Sequence, residues 1–151
     1  MIVAALQMCS GDCKRDNILK ASRLIEEAAR RGAQVVALPE MFNFMGRDED
    51  LVDQAESIPG PSIERLAELA ATHEIYLLAG SMPEKTSSSN KVYNTSVLLD
   101  PTGELCGLYR KIHLMNADLE DGVQPSESKY ITAGEAVVTV KTAVGRFGLS
   151  I

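Results

Sequence analysis

The sequence contains no tryptophan, and aromatic side chains make up only 5% of its 151 residues. Hydrophobic residues still reach 45%, so a chain of this length can bury one core without disulfide support. Its three cysteines, Cys9, Cys13 and Cys106, are an odd number, and we read no secretory leader in MIVAALQMCSGD. We therefore expect reduced thiols that pack as small hydrophobic groups in the core.

Basic residues are also scarce, with 15 Lys and Arg against 21 Asp and Glu and a formal charge of −6. No basic stripe is present that could bind a phosphate backbone, which argues against nucleic acid as a partner. Cys9 and Cys13 are separated by three residues rather than two, and only His73 and His113, far away in the sequence, could complete a zinc site with them. No apolar run approaches the roughly 20 residues of a membrane span. We expect a cytoplasmic protein without metal or cofactor.

The first third of the sequence has the pattern of a βαβ unit. Residues 2–8 form a short apolar run that predicts a buried strand. Apolar residues at helical spacing then predict a helix over 17–31 that ends at Gly32. Residues 34–38 are apolar on both faces, as in a parallel strand covered on each side. The sequence thus predicts an α/β fold.

The remaining sequence alternates short apolar runs with turn residues. Pro61 opens a predicted helix over 62–73, and residues 48–50 are an acidic run that fits a solvated loop or the start of a short helix. Strands are predicted over 75–82, 92–100, 104–114 and 136–141, followed by a last apolar run over 146–151. The turn residues at 100–103 make a hairpin of the second and third of these strands. Residues 85–90 and 116–130 are predicted to be polar loops.

Three separate residues are candidates for a site. Glu40 follows a predicted strand directly, at the sheet edge where α/β proteins place their sites. Lys111 and His113 alternate onto one face of the predicted strand 104–114, and Glu127 lies in a polar loop. Taken singly, Glu40 and Glu127 also fit solvated loop acids, Lys111 fits an edge-strand charge, and His113 fits a structural hydrogen-bonding role.

Four segments taken together resemble the carbon–nitrogen hydrolase, or nitrilase, family: ALPEMF, YRKIHL, SESKYITAG and GRFGLSI. The resemblance implies a four-layer αββα sandwich, of which residues 1–151 supply about the first half of a single domain. It assigns catalytic roles to Glu40, Lys111 and Glu127. It also places the nucleophilic cysteine directly after Ile151, so we expect a longer working polypeptide, either truncated here or interrupted at a modified cysteine. Cys9, Cys13 and Cys106 do not match that position.

The same resemblance implies a reaction. Glu40 would act as base and Lys111 as oxyanion stabiliser while a thioester forms and is hydrolysed, converting a small amide into a carboxylate and ammonia. Within the family the segments are similar to Nit-type amidases, whose substrates are deaminated glutathione or 2-oxo-acid ω-amides. Nitrile or N-carbamoyl amino acid hydrolysis stays open, and so does a binding or scaffold protein without a nucleophile. Family members imply a homodimer.

A nucleotide-binding domain is a weaker alternative, since it rests on the βαβ opening alone. The sequence has no Gly-x-Gly-x-x-Gly segment, and the first predicted strand leads into residues 11–14 (GDCK) instead of a phosphate-binding turn.

Overall fold

The computed structural model describes residues 1–87, 90–116 and 126–151. It contains one six-stranded sheet, one two-stranded sheet and three α-helices in these residues. The strands are β1 (Val3–Ala5), β2 (Val35–Ala37), β3 (Tyr76–Leu78), β4 (Met82–Lys85), β5 (Val92–Leu99), β6 (Leu105–Arg110), β7 (Val138–Thr142) and β8 (Gly145–Leu149). The helices are α1 (Lys14–Arg30), α2 (Leu51–Gln54) and α3 (Pro61–His73), and short 3₁₀ turns span Asp48–Asp50 and Glu127–Lys129.

The large sheet begins with three parallel strands in the order β1, β2, β3. Strand β5 then runs antiparallel to β3, and it also pairs with β4 and with β6. The predicted βαβ unit and the β5–β6 hairpin are therefore confirmed. Helices α1 and α3 pack together and bury their apolar faces, including Ile25 and Leu66, over the central strands.

Helix α1 begins at Lys14, three residues before its predicted start, and ends beside Gly32, whose φ of 84° is the left-handed conformation that glycine favours. Helix α3 begins at Pro61 as predicted, because proline lacks the N–H that a first helical residue leaves unpaired. The acidic run opens a 3₁₀ turn followed by α2.

The prediction of a buried first strand over 2–8 is wrong. Strand β1 has three residues and Val3 is 56% exposed, because β1 pairs with β2 at the edge of the sheet. The prediction of core cysteines is also wrong for Cys9 and Cys13, which are exposed in the loop between β1 and α1. Cys106 is half-buried in β6, with burial and then Asp100 raising the pKa of its thiol.

The predicted strand 75–82 is two strands. Strand β3 pairs with the end of β5 and β4 pairs with its beginning, both on the side of β5 opposite to β6, so the two strands follow one line that is interrupted between Leu78 and Met82. The interruption contains Gly80, which has a φ of 48° and approaches the Pro39 carbonyl so closely that a Cβ would collide with it.

The last two strands, β7 and β8, form a separate antiparallel sheet where the sequence predicts a strand over 136–141 and a last apolar run over 146–151. Leu149 and Val140 pack against Leu98 and Tyr109 of the large sheet. Residues 88–89 of the predicted polar loop 85–90, and residues 117–125 of the loop 116–130, lie outside the described residues. None of the described helices has both the length and the apolar content needed to cross a bilayer.

Candidate active site

Glu40 lies in the turn that follows β2. The next residue, Met41, has a φ of 53°, and its N–H donates a hydrogen bond of 3.0 Å to Ser81 Oγ. The Phe42 N–H donates to the Ser81 carbonyl at 2.9 Å. Because both bonds tie the turn to the residue after Gly80, the backbone at Glu40 is fixed at the carboxyl end of the parallel strands.

Lys111 is the residue directly after β6. Its backbone N–H donates to the Asn94 carbonyl at 2.8 Å, and its carbonyl accepts from the Gly134 N–H at 2.8 Å. These bonds hold the backbone on both sides, and the residue is only 8% exposed. The prediction that His113 shares a strand face with Lys111 is wrong, because β6 ends at Arg110 and His113 is an exposed residue in a bend.

Glu127 is the first residue of a 3₁₀ turn, Glu127–Lys129, and lies two residues after the segment 117–125, which is outside the described residues. One carboxylate oxygen, Oε2, accepts a hydrogen bond of 2.7 Å from the Met115 N–H. The other oxygen is thereby directed toward the end of β6.

The three side chains meet at the lysine ammonium. Lys111 Nζ lies 2.9 Å from Glu40 Oε1 and 2.9 Å from Glu127 Oε1. These residues are 71 and 16 positions apart in the sequence, so the fold brings them together. One buried cation between two carboxylates is the resulting arrangement.

Burial alone would lower the pKa of Lys111 by penalising its charged form. The hydrogen bonds and charges of Glu127 and Glu40 outweigh burial, so the pKa of Lys111 lies above its ordinary value. The ammonium is therefore protonated throughout the neutral range. In this state it can donate to a negative oxygen but cannot accept a proton.

The three side chains line a pocket of about 270 Å³. Its other lining residues are mostly apolar or sulfur-containing: Met41, Met45, Asp48, Leu51, Asn94, Met115, Tyr130 and Ile131. A small molecule with a short polar group directed at Lys111 fits a pocket of this kind. Among the described residues, no three His, Cys, Asp or Glu side chains are grouped to hold a metal ion.

Sequence reasoning missed Asn94. Its Nδ2 donates a hydrogen bond of 2.8 Å to Glu40 Oε1, and the residue is 1% exposed. A signal was available, since asparagine is depleted in strands and this one interrupts the run VYNTSVLLD.

The fold and the site define a mixed α/β protein with a carboxylate–lysine–carboxylate cluster at the end of its sheet. A family model described as carbon–nitrogen hydrolase matches residues 2–151. The chain belongs to the carbon–nitrogen hydrolase family.

Two curated relatives illustrate the similarity. The chain is 39% identical over 149 residues to human omega-amidase NIT2, covering 99% of this chain and 53% of that protein. It is 32% identical to nitrilase homolog 2 of Dictyostelium discoideum, covering 98% of this chain and 45% of that protein. The chain thus spans about half the length of the curated relatives it matches.

Solved structures agree on the fold. The NitFhit protein of C. elegans superposes with a TM-score of 0.87 at 32% identity, over 98% of this chain and 37% of that chain. Nit3 of Saccharomyces cerevisiae gives 0.78 at 29% identity, over 93% of this chain and 51% of that chain. The mixed α/β fold is therefore that of nitrilase-superfamily structures.

Proposed function

We propose that the protein is an amidase that converts a small-molecule amide into a carboxylate and ammonia. The observation that carries the proposal is the Lys111 ammonium, held 2.9 Å from both Glu40 and Glu127 at the wall of a pocket. Family membership supports the reaction class. The similarity to a human protein named omega-amidase favours an amide as the substrate.

The reaction needs a nucleophile, which the family resemblance places in a cysteine directly after Ile151. In the first half, Glu40 takes the thiol proton and the thiolate sulfur forms a bond to the amide carbon. The carbonyl π electrons move to the oxygen, and Lys111 stabilises this oxyanion. The C–N bond then breaks as Glu40 returns the proton to the departing nitrogen, leaving a thioester and ammonia.

The second half consumes water. Glu40 takes a proton from a water molecule whose oxygen attacks the thioester carbon, and the new oxyanion again faces Lys111. The C–S bond breaks, and the proton on Glu40 returns to the sulfur, so the enzyme regains its thiol and the product is a carboxylic acid. Glu127 contributes by keeping Lys111 charged and in place.

The assignment of roles follows from the charges. Glu40 has a side chain that is 45% exposed and can exchange protons with substrate, whereas the Lys111 side chain is 9% exposed and carries a raised pKa. A buried ammonium of this kind is suited to binding an oxyanion, and the more accessible carboxylate is suited to proton transfer. A typical cost of removing one oxyanion donor is roughly 3–4 kcal/mol.

A substrate panel tests the proposal in the full-length protein. Ammonia release is measured with α-ketoglutaramate, deaminated glutathione, an N-carbamoyl amino acid and a simple nitrile. We expect turnover of one or both amides, and conversion of part of the acyl group to a hydroxamate when hydroxylamine is added, because a thioester reacts with that nucleophile. If the protein turns over the nitrile or the N-carbamoyl amino acid faster than either amide, the proposal that its substrate is an amide is wrong. A protein that binds but turns over none of the four would support the non-catalytic alternative.

A further inference from the structure

We propose that Asn94 is a positioning residue for the base, holding Glu40 by one carboxylate oxygen so that the other is free for proton transfer. The inference rests on the proposed function of Glu40. Asn94 is the third residue of β5 and is 1% exposed. Its amide reaches across the sheet edge to a residue 54 positions earlier in the sequence.

The geometry at Glu40 is asymmetric. Asn94 Nδ2 donates to Oε1 at 2.8 Å, and Lys111 Nζ donates to the same oxygen at 2.9 Å. Two donors on one oxygen fix the rotation of the carboxylate about its last bond. The second oxygen, Oε2, can therefore exchange a proton without either hydrogen bond being broken.

The orientation of the Asn94 amide is determined by its partner. A carboxylate accepts hydrogen bonds and does not donate them, so the NH₂ group must face Glu40. The opposite end, Oδ1, is buried and has no hydrogen-bond partner among the described residues. A buried oxygen without a partner is unfavourable for folding. The side chain at position 94 is therefore explained by its hydrogen bond to Glu40 and not by the packing of β5.

The backbone of Asn94 has a separate role. Its carbonyl accepts the Lys111 N–H at 2.8 Å, so one residue holds the lysine by its main chain and the base by its side chain. A change of the Asn94 side chain leaves the bond to the Lys111 backbone in place. Substitutions here therefore test the position of Glu40 while Lys111 stays anchored.

The test compares two variants of the full-length protein. In Asn94→Ala we expect kcat for amide hydrolysis to fall about 100-fold with little change in KM, because a misplaced base slows the reaction without weakening substrate binding. Asn94→Asp has nearly the same shape but can donate to Glu40 only while the new carboxyl group is protonated. Its kcat relative to wild type should rise as the pH falls, whereas the ratio for Asn94→Ala should stay flat.

Thr95→Val is the matched control. Thr95 is the adjacent buried residue of β5, and its hydroxyl donates to a different carboxylate, Glu84, at 2.7 Å. This variant loses a comparable hydrogen bond, so it should lower thermal stability and leave kcat and its pH dependence unchanged. Equal losses of kcat in Asn94→Ala and Thr95→Val would overturn the proposal.

A crystal structure of Asn94→Ala gives a readout that does not need turnover. We expect the Glu40 carboxylate to leave the hydrogen-bond distance to Lys111 Nζ. A carboxylate that keeps its wild-type position would refute the role of Asn94, whether or not the wild type is an amidase. If Asn94→Ala does not fold, the kcat of Asn94→Asp is compared with that of wild type at several pH values instead. A ratio of the two kcat values that does not change with pH would overturn the proposal.

Discussion

Lys111 shows how a residue that is unremarkable in the sequence acquires a definite role from its surroundings. Burial opposes its charge, but two carboxylates restore it, and the pKa of Lys111 rises above its ordinary value of about 10.4. A group with a raised folded-state pKa stabilises the fold below its unfolded pKa and loses that contribution as the pH rises through the folded value. The contribution of the Lys111 charge to the fold should therefore be present at neutral pH and be lost in strongly alkaline solution.

The three cysteines of the chain are predicted to be dispensable for turnover. Cys9 and Cys13 are exposed in a loop, and the pKa of the Cys106 thiol is raised by burial and by Asp100, which disfavours the reactive thiolate. In the full-length protein, Cys9→Ser, Cys13→Ser and Cys106→Ser should each keep ammonia release within about twofold of wild type, as for substitutions that remove no key interaction. A large loss of kcat in any one of them, with the fold preserved by circular dichroism, would move the nucleophile to that residue.

Taken singly, Glu40, Lys111 and Glu127 were ambiguous in the sequence, and the family resemblance of the segments around them selected them; the structure brings the three side chains together. Asn94 was missed because its importance lies in a contact with a residue far away in the chain. The burial of the cysteines was mispredicted for a related reason, because an apolar run does not reveal that its strand ends at Ala5.

At the scale of elements, Glu56 joins the two helices that cover the sheet. It accepts hydrogen bonds of 2.8 Å from both the N–H and the hydroxyl of Ser62 in the first turn of α3, and it pairs with Lys14, the first residue of α1, at 2.8 Å. Gly60, the N-cap of α3, has no side chain to offer, so Glu56 supplies the missing acceptor. Ser62 in turn accepts from Asn43, which links the helices to the loop after Glu40.

This network predicts a pH-dependent contribution to stability. Burial raises the pKa of Glu56, but Lys14 and the two donors of Ser62 outweigh it, and the pKa is lowered. The stabilisation is therefore present above the unfolded value of about 4.3 and is lost as the pH falls through the folded value. We expect Glu56→Gln to lower the free energy of unfolding by roughly 1–3 kcal/mol at pH 7, with a smaller difference at acidic pH.

Denaturant unfolding at pH 7 and at acidic pH measures that difference. Glu68→Gln is the control, because Glu68 pairs with Arg65 on the exposed face of α3 and its side chain is 67% exposed. The control should differ little from wild type at either pH. A Glu56→Gln effect that is the same at both pH values would show that the charge of Glu56 does not stabilise the helices.

The elements were more predictable than their positions in the sheet. Helix ends followed from local chemistry, as at Gly32 and Pro61. The division of 75–82 into β3 and β4 could not be predicted from local sequence. It depends on the close approach of the Pro39 carbonyl to Gly80, which is a contact between distant parts of the chain. The end of β6 at Arg110 was missed as well, since the alternating pattern of the sequence continues to Leu114 while the hydrogen bonds to β5 do not.

At the scale of the whole molecule, the chain covers 53% of human omega-amidase NIT2. We propose that residues 1–151 are the N-terminal part of one hydrolase domain and that the remainder supplies the nucleophile and the second half of the αββα sandwich. A homodimer and a cytoplasmic location stay predictions.

The central claim is that Glu40 and Lys111 perform the chemistry, and ammonia release by two variants of the full-length protein tests it most directly. Glu40→Gln and Lys111→Ala should each lower kcat at least about 100-fold, the cost of losing a general base or an oxyanion donor, with the fold intact by circular dichroism. The matched changes Glu135→Gln and Lys141→Ala alter exposed residues and should leave kcat unchanged. Turnover near the wild-type rate in either Glu40→Gln or Lys111→Ala would contradict the account.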